Sequence, residues 1–330
     1  VTFFKPKKNA SKGFDPGNVR GHVIIECMDK KWAIVCALIV PPILTELLTA
    51  NTPLPRFILP INLLWLVLGY GIPLLVIREF AIRWRLGLWG ILIIGLAYGI
   101  FNEGILAQTL VQAAHMPIGN FDGYLVGGGI NIGWALYILF WHALHSVLYP
   151  FLLLTFFRND WESWLSDRMF KFLTGFLLVG SLFVVALRMS GQMIFLELLM
   201  ITLVLIAKNF HKKILLDPLA GTWKTTLLGF CSILYALALF TESTNKISYL
   251  IYILTALIIP CVAYIYISKR RFLSHKWLLL FGLGSYIAYA MLAMFSGNGI
   301  VIVTNVILIG FLAWATVKVS KGLSSSALQL

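Results

Sequence analysis

The sequence predicts an all-α protein: a polytopic bundle of transmembrane helices with about ten spans and both termini cytoplasmic. Three observations predict it. Of 330 residues, 60% are hydrophobic and 12% charged, where a soluble domain is about a quarter charged. Apolar stretches of roughly 20 residues, the length that crosses a hydrocarbon core, recur along the chain. The Lys and Arg residues gather in alternate loops between those stretches, the pattern that sets membrane orientation.

The elements follow in order. Residues 1–31 form a basic, cytoplasmic N-terminal segment. No small-residue cleavage site follows the first apolar run, so that run is expected to be a retained span rather than a signal peptide. Spans are expected at 32–50, 57–77, 87–110, 132–157, 172–187, 193–207, 225–241, 247–268, 277–295 and 299–317. The fifth and sixth are short, and 172–207 reads either as two full spans or as a partial hairpin. With this count, 23 of the 26 Lys and Arg residues fall on one side, and only Arg56, Arg188 and Lys246 on the other.

The chain thus divides into a four-span half, 32–157, and a six-span half, 172–317, joined by a cytoplasmic segment, 158–171. That segment carries Trp161 and Trp164 among charges and is expected to lie as an interfacial helix. Residues 318–330 form a cytoplasmic tail, disordered from Ser320. The outer loop 111–131, with Gly127-Gly128-Gly129, has the hinges of a lid. Cys27, Cys36, Cys231 and Cys261 are scattered without a CxxC pair and read as buried thiols.

The net charge of +13 sits in short runs between apolar stretches. It therefore serves topology and attraction to anionic lipid rather than nucleic acid. The lipid bilayer is the expected partner, with a membrane peptide or a small solute as the further candidates. There is no nucleotide-binding motif and no internal repeat of the kind that builds many transporters.

Ionisable groups within a bilayer mark functional sites. Counting about 1.5 Å per residue, Glu46 lies about 21 Å, Glu103 about 24 Å, His142 about 22 Å and His145 about 18 Å from the cytoplasmic end of its span. Four such groups on three helices therefore share one layer. His142 and His145, three apart, share a face of a regular helix. With Glu103 they make a divalent-metal ligand set, or an acid–base set with Glu103 as base, or polar glue between helices. Glu46, one turn past Pro41-Pro42, and Asn102 support the layer. Glu197 reads as a structural partner for another helix. At the cytoplasmic end of the second span, Glu79 and Arg83 are spaced as a helical ion pair, with Arg78 and Arg85 as anchors.

The stretches Leu96-Ala-Tyr-Gly-Ile-Phe-Asn-Glu-Gly-Ile105 and Leu139-Phe-Trp-His-Ala-Leu-His-Ser-Val147 resemble two motifs of the CAAX prenyl protease and bacteriocin-processing superfamily and its relative PrsW. These are polytopic intramembrane proteases. Asn102-Glu103 stands where that superfamily has Glu-Glu, and Trp141 and His145 where it has Phe and His. The resemblance implies water activation by Glu103 and transition-state stabilisation by His145, with His142 as a substitute for a missing third motif. No Arg or Lys closes the first motif here. The chain also resembles uncharacterised bacterial multipass proteins with a Tyr-Gly-x-x-Glu-Glu-Gly run, which implies a bacterial cytoplasmic membrane. The expected functions are a glutamate-dependent intramembrane hydrolase or a degenerate relative, a transporter or channel with a Glu/His relay, or a non-catalytic scaffold or immunity protein.

Overall fold

The computed structural model describes residues 29–111, 125–126, 129–158, 162–210, 223–241, 254–255, 258 and 275–326. Most of the N-terminal segment, most of the outer loop 111–131, Trp161, most of the expected span 247–268, Cys27 and Cys261 lie outside the described residues.

Six helical stretches among the described residues are long and apolar enough to cross a membrane: Pro60–Arg83, Leu88–Leu106, Ile132–Thr155, Asp167–Arg188, Lys276–Met294 and Gly299–Val319. All six coincide with expected spans. Gly191–Ala207 is apolar but shorter. The remaining helices fall where spans are expected, at Lys30–Leu47 and Trp223–Thr241.

The first four helical stretches each contain a π-helical turn, at the end of the first and third and inside the second and fourth. Helix α1 (Lys30–Pro42) runs into π1 (Ile43–Leu47). A short α2 (Leu54–Phe57) precedes α3 (Pro60–Leu66), π2 (Val67–Gly71) and α4 (Ile72–Arg83). Helix α5 (Leu88–Gly99) runs into π3 (Ile100–Leu106). After the two-residue strands β1 (Leu125–Val126) and β2 (Ile130–Asn131), which pair antiparallel, α6 (Ile132–Trp141) continues through π4 (His142–Leu148) into α7 (Tyr149–Arg158). Pro41, Pro42 and Pro73 each lack the N–H that an α-helix needs, and the ladder shifts near them.

A π turn frees carbonyls from the i→i+4 ladder, and lipid offers no water to satisfy them. Side chains fill the gap. Thr45 Oγ1 donates to Pro41 O at 2.7 Å and Tyr98 Oη to Gly69 O at 2.9 Å. Tyr286 Oη donates to His145 O at 2.6 Å.

The second half is plainer. Helices α8 (Asp167–Arg188) and α9 (Gly191–Ala207) form a hairpin turned by Met189 in the left-handed region (φ 43°). Ser190 caps α9 by accepting from Met193 N. The expected span pair at 172–207 is thus two helices, the first 22 and the second 17 residues long. Helices α10 (Trp223–Thr241), α11 (His275–Met294) and α12 (Gly299–Ser326) complete the described chain. Helix α12 runs on to Ser326 where the sequence predicts a disordered tail from Ser320; a helix nucleated by a long apolar span propagates at little cost. Cys36 is half-buried and Cys231 exposed, not buried as expected.

The core forms around α5 and α6–α7, and glycine brings these two together. A Cβ on Gly95 would lie 2.7 Å from Ala143 Cα, and one on Gly99 2.8 Å from Leu139. This small-xxx-small face lets the backbones touch. Gly95→Leu is therefore expected to lower the thermal midpoint in detergent by several degrees. Gly310→Leu, where nothing lies within 4 Å of the added carbon, should leave it unchanged or slightly raised. A dye-based melting curve on both variants checks the pair.

Candidate functional site: a polar cluster at the π turns

Each of the four π turns delivers a polar side chain to one cluster: Glu46 from π1, Tyr70 from π2, Glu103 from π3 and His142 from π4. Glu103 Oε1 lies 2.9 Å from His142 Nε2. The other carboxylate oxygen accepts from Thr109 Oγ1, which in turn accepts from Trp134 Nε1 at 2.9 Å. His142 Nδ1 is 2.8 Å from Ser146 Oγ. Glu46 accepts from Tyr70 Oη, and from Thr52 Oγ1 at 2.7 Å. The Tyr70 ring lies 6.1 Å from that of His142, and the Tyr98 ring meets the same imidazole edge-on at 5.4 Å. Asn102 Nδ2 donates to Tyr98 Oη at 3.2 Å.

The chain reversal after π3 makes the Thr109 contact possible. Gln108 takes a left-handed conformation (φ 60°), uncommon for a residue with a Cβ, and the turn brings Thr109 back beneath Glu103. Exposure is uneven across the cluster. The Glu103 side chain keeps 13% of its surface exposed and that of His142 only 1%, while Glu46 and Tyr70 are half-buried. The carboxylates are the accessible end and the imidazole is the floor.

A family model for an uncharacterised membrane protein family matches residues 35–329. The chain belongs to that family. No curated protein and no solved structure matches it. The family match covers the whole polar cluster but lends no support to membership of the CAAX protease superfamily, which rests on the two short motifs alone.

Of the four layer residues, Glu103 and His142 are in contact, Glu46 reaches them only through Tyr70, whose ring lies 6.1 Å from that of His142, and His145 does not join them. In a π turn the rotation per residue is smaller than in an α-helix, because bonds close i→i+5. Residues i and i+3 then diverge, while i and i+4 align, which is why His142 finds Ser146. The His145 ring stacks on Trp141 and is edged by Tyr286 and Tyr289. Its Nδ1 lies 3.1 Å from Trp141 O. Among the described residues no three His, Cys, Asp or Glu side chains gather as a metal-ligand set, so the expected trio of His142, His145 and Glu103 does not form. The sequence reading missed Tyr70, Tyr98, Thr109 and Ser146. The one signal in the sequence is the place of Tyr70 between Gly69 and Gly71.

A second charged cluster sits where α4 ends. Glu79, fully buried, pairs with Arg83 at 3.0 Å as the i, i+4 spacing predicts. It also accepts from Trp164 N at 2.6 Å, from Leu165 N at 3.1 Å and from Ser163 Oγ. Arg83 reaches Leu165 O at 2.8 Å and Asp167. Arg78 is no exposed anchor: it is 1% exposed, its guanidinium stacks 3.4 Å from the Trp164 ring, and it donates to Glu162 O at 2.9 Å. Residues 162–166 are not helical and Trp164 is buried, where the sequence predicts an interfacial helix. The cluster is a socket that docks residues 162–166 against the end of α4. Glu197, as expected, has a partner on another helix: Ser181 Oγ donates to it at 3.0 Å.

Two outcomes follow. Glu79→Ala leaves Arg83 and two buried N–H groups without their acceptor, an effect of about 3–5 kcal/mol for a buried pair. Trypsin should then cut after Arg168 faster than in the unmodified protein. Tyr286→Phe leaves the His145 carbonyl in π4 without its donor, which costs about 1–3 kcal/mol and should show as a lower melting midpoint.

Proposed function

We propose that this protein is an intramembrane hydrolase in which Glu103 is the general base and His142 its partner. The observation that carries the reading is the 2.9 Å contact between Glu103 and His142 inside a bundle, with the carboxylate as the exposed end of the pair. Glu103 would take a proton from water, and the hydroxide would add to a carbonyl of a membrane-embedded substrate. The proton held by the Glu103–His142 pair would return to the leaving group when the tetrahedral adduct collapses. Ser146, on Nδ1, fixes the imidazole orientation, as second partners of histidine do. Glu46, held by Tyr70, supplies a second carboxylate beside the first. The likeness to the CAAX protease motifs supports the role of Glu103. The role it implies for His145 passes to His142, because His145 is held among Trp141, Tyr286 and Tyr289.

The reading includes a topology of about ten spans with both termini in the cytoplasm of a bacterial cell. The charge bias of 23 to 3 among the 26 Lys and Arg residues supports it.

A second reading has its own observation. Ser146, His142, Glu103 and Thr109 form an unbroken hydrogen-bonded line, which is also the form of a proton relay. Proteoliposomes loaded with a pH dye separate the two: proton flux abolished by Glu103→Gln favours the relay.

For the hydrolase, Glu103→Gln and His142→Ala are expected to lower processing of co-expressed membrane proteins by about 100-fold or more, the usual worth of a positioned base. His145→Ala should keep a substantial part of it. Quantitative proteomics of membranes carrying each variant provides the readout, and unchanged processing in Glu103→Gln would sink the assignment.

A further inference from the structure

An apolar cavity of about 230 Å³ lies between α4, α5, α8 and α9, with no carboxylate in its lining. Its wall includes Val76 and Phe80 of α4, Tyr98 of α5, Leu178 of α8, and Val204 and Leu205 of α9. Along α4 the lining runs from Pro73 to Phe80, about 10 Å of helix, so the space is a groove and not a compact pocket. Leu178 and Leu205 are 40% and 61% exposed, which opens the groove sideways toward lipid.

We infer that this groove holds one acyl chain of an anionic phospholipid, with the phosphate on Lys171 and Lys208. The charge placement follows from helix periodicity. On α8 the groove is lined by Thr174, Leu177 and Leu178, and Lys171 lies one turn before them. On α9 it is lined by Val204 and Leu205, and Lys208 lies one turn after them. Helices α8 and α9 are an antiparallel hairpin, so both lysines mark the same end. Both are exposed. Lys208 Nζ lies 5.8 Å from the Trp84 ring, itself one turn past Phe80 on α4. Asp167, an acidic group at this end, pairs with Arg83 and also lies within the field of Lys171.

A second feature points to a lipid ester. Thr174 lines the groove, and its Oγ1 is enclosed with no hydrogen-bond partner among the described residues. It sits three residues, about 4.5 Å of helix rise, inside Lys171. That is where a glycerol ester carbonyl lies beneath a phosphate. A polar donor without an acceptor is costly in hydrocarbon, and an ester oxygen in the groove supplies one once the Thr174 side chain turns toward it. The site shares Tyr98 with the polar cluster but includes neither Glu46 nor Glu103, and its test needs no activity.

Native mass spectrometry tests it. The full-length protein in detergent is titrated with dioleoyl phosphatidylglycerol, dioleoyl phosphatidylcholine or glycerol phosphate. Phosphatidylglycerol adducts are expected at about tenfold or more over phosphatidylcholine, two lysines each favouring the anionic lipid. Glycerol phosphate should neither bind nor compete. Lys171→Ala with Lys208→Ala should erase the preference between the two lipids. Val204→Trp should lower adducts of both lipids about tenfold, while Val179→Trp, on the 66% exposed face of α8, should not. Equal binding of the two lipids to the unmodified protein would overturn the proposal. So would a preference that survives the double lysine variant, or competition by glycerol phosphate. The lysine variants keep the test decisive even where Val204→Trp fails to fold.

Discussion

Water is absent from the hydrocarbon core, so a polar group placed there must be satisfied by the protein itself. The rest of this structure depends on that constraint. Glu103 is met by His142 and Thr109, and Glu46 by Tyr70 and Thr52. The backbone obeys the same rule. Each π turn exposes carbonyls that a regular helix would consume, and Thr45, Tyr98 and Tyr286 cover them. His145 belongs to this second group, with its ring nitrogen on the Trp141 carbonyl. The distorted turns and the polar layer are therefore one device: the π turns present the acidic and imidazole groups, and neighbouring hydroxyls keep the turns intact.

Close approach makes the device possible. Gly95 and Gly99 let Ala143 and Leu139 into contact distance, which holds the helix of Glu103 directly against that of His142. The same logic appears where α1 meets π2. Pro42 cannot donate to the Leu38 carbonyl, and a Cβ on Gly71 would lie 2.3 Å from that oxygen. The proline frees the carbonyl and the glycine makes room for it. At the end of α4 the solution differs, since two buried guanidinium and carboxylate groups are satisfied by backbone atoms of the connection 162–166.

Much of this was legible in the sequence. Hydropathy and length placed the long helices, because lipid makes both nearly obligatory. A uniform rise per residue put Glu46, Glu103 and His142 at one depth; Glu103 and His142 are in contact, with Glu46 linked through Tyr70. What failed was the rotation. Placing His145 beside His142 assumed a regular α-helix, and nothing in His-Ala-Leu-His-Ser-Val-Leu announces a π turn. Tyr70 was hidden because tyrosine in an apolar stretch looks like an interface aromatic; only its partner on another helix reveals its hydroxyl as a ligand for Glu46. Arg78 looked like an anchor for the same reason, since its burial is decided by Trp164, on a segment far away in sequence.

The groove and the polar cluster share one residue, and that ties them mechanically. Tyr98 lines the groove with its ring, meets the His142 imidazole edge-on, and holds the Gly69 carbonyl with its hydroxyl. Anything in the groove that displaced the Tyr98 ring would have to break the bond to Gly69. It would then leave a carbonyl of π2 unsatisfied in an apolar medium, at a cost of about 1–3 kcal/mol. Because π2 also carries Tyr70, the disturbance would reach Glu46. A tightly packed interior transmits such a shift and does not absorb it. The groove wall is thus part of what holds the carboxylates in place, although it contributes no charge to them.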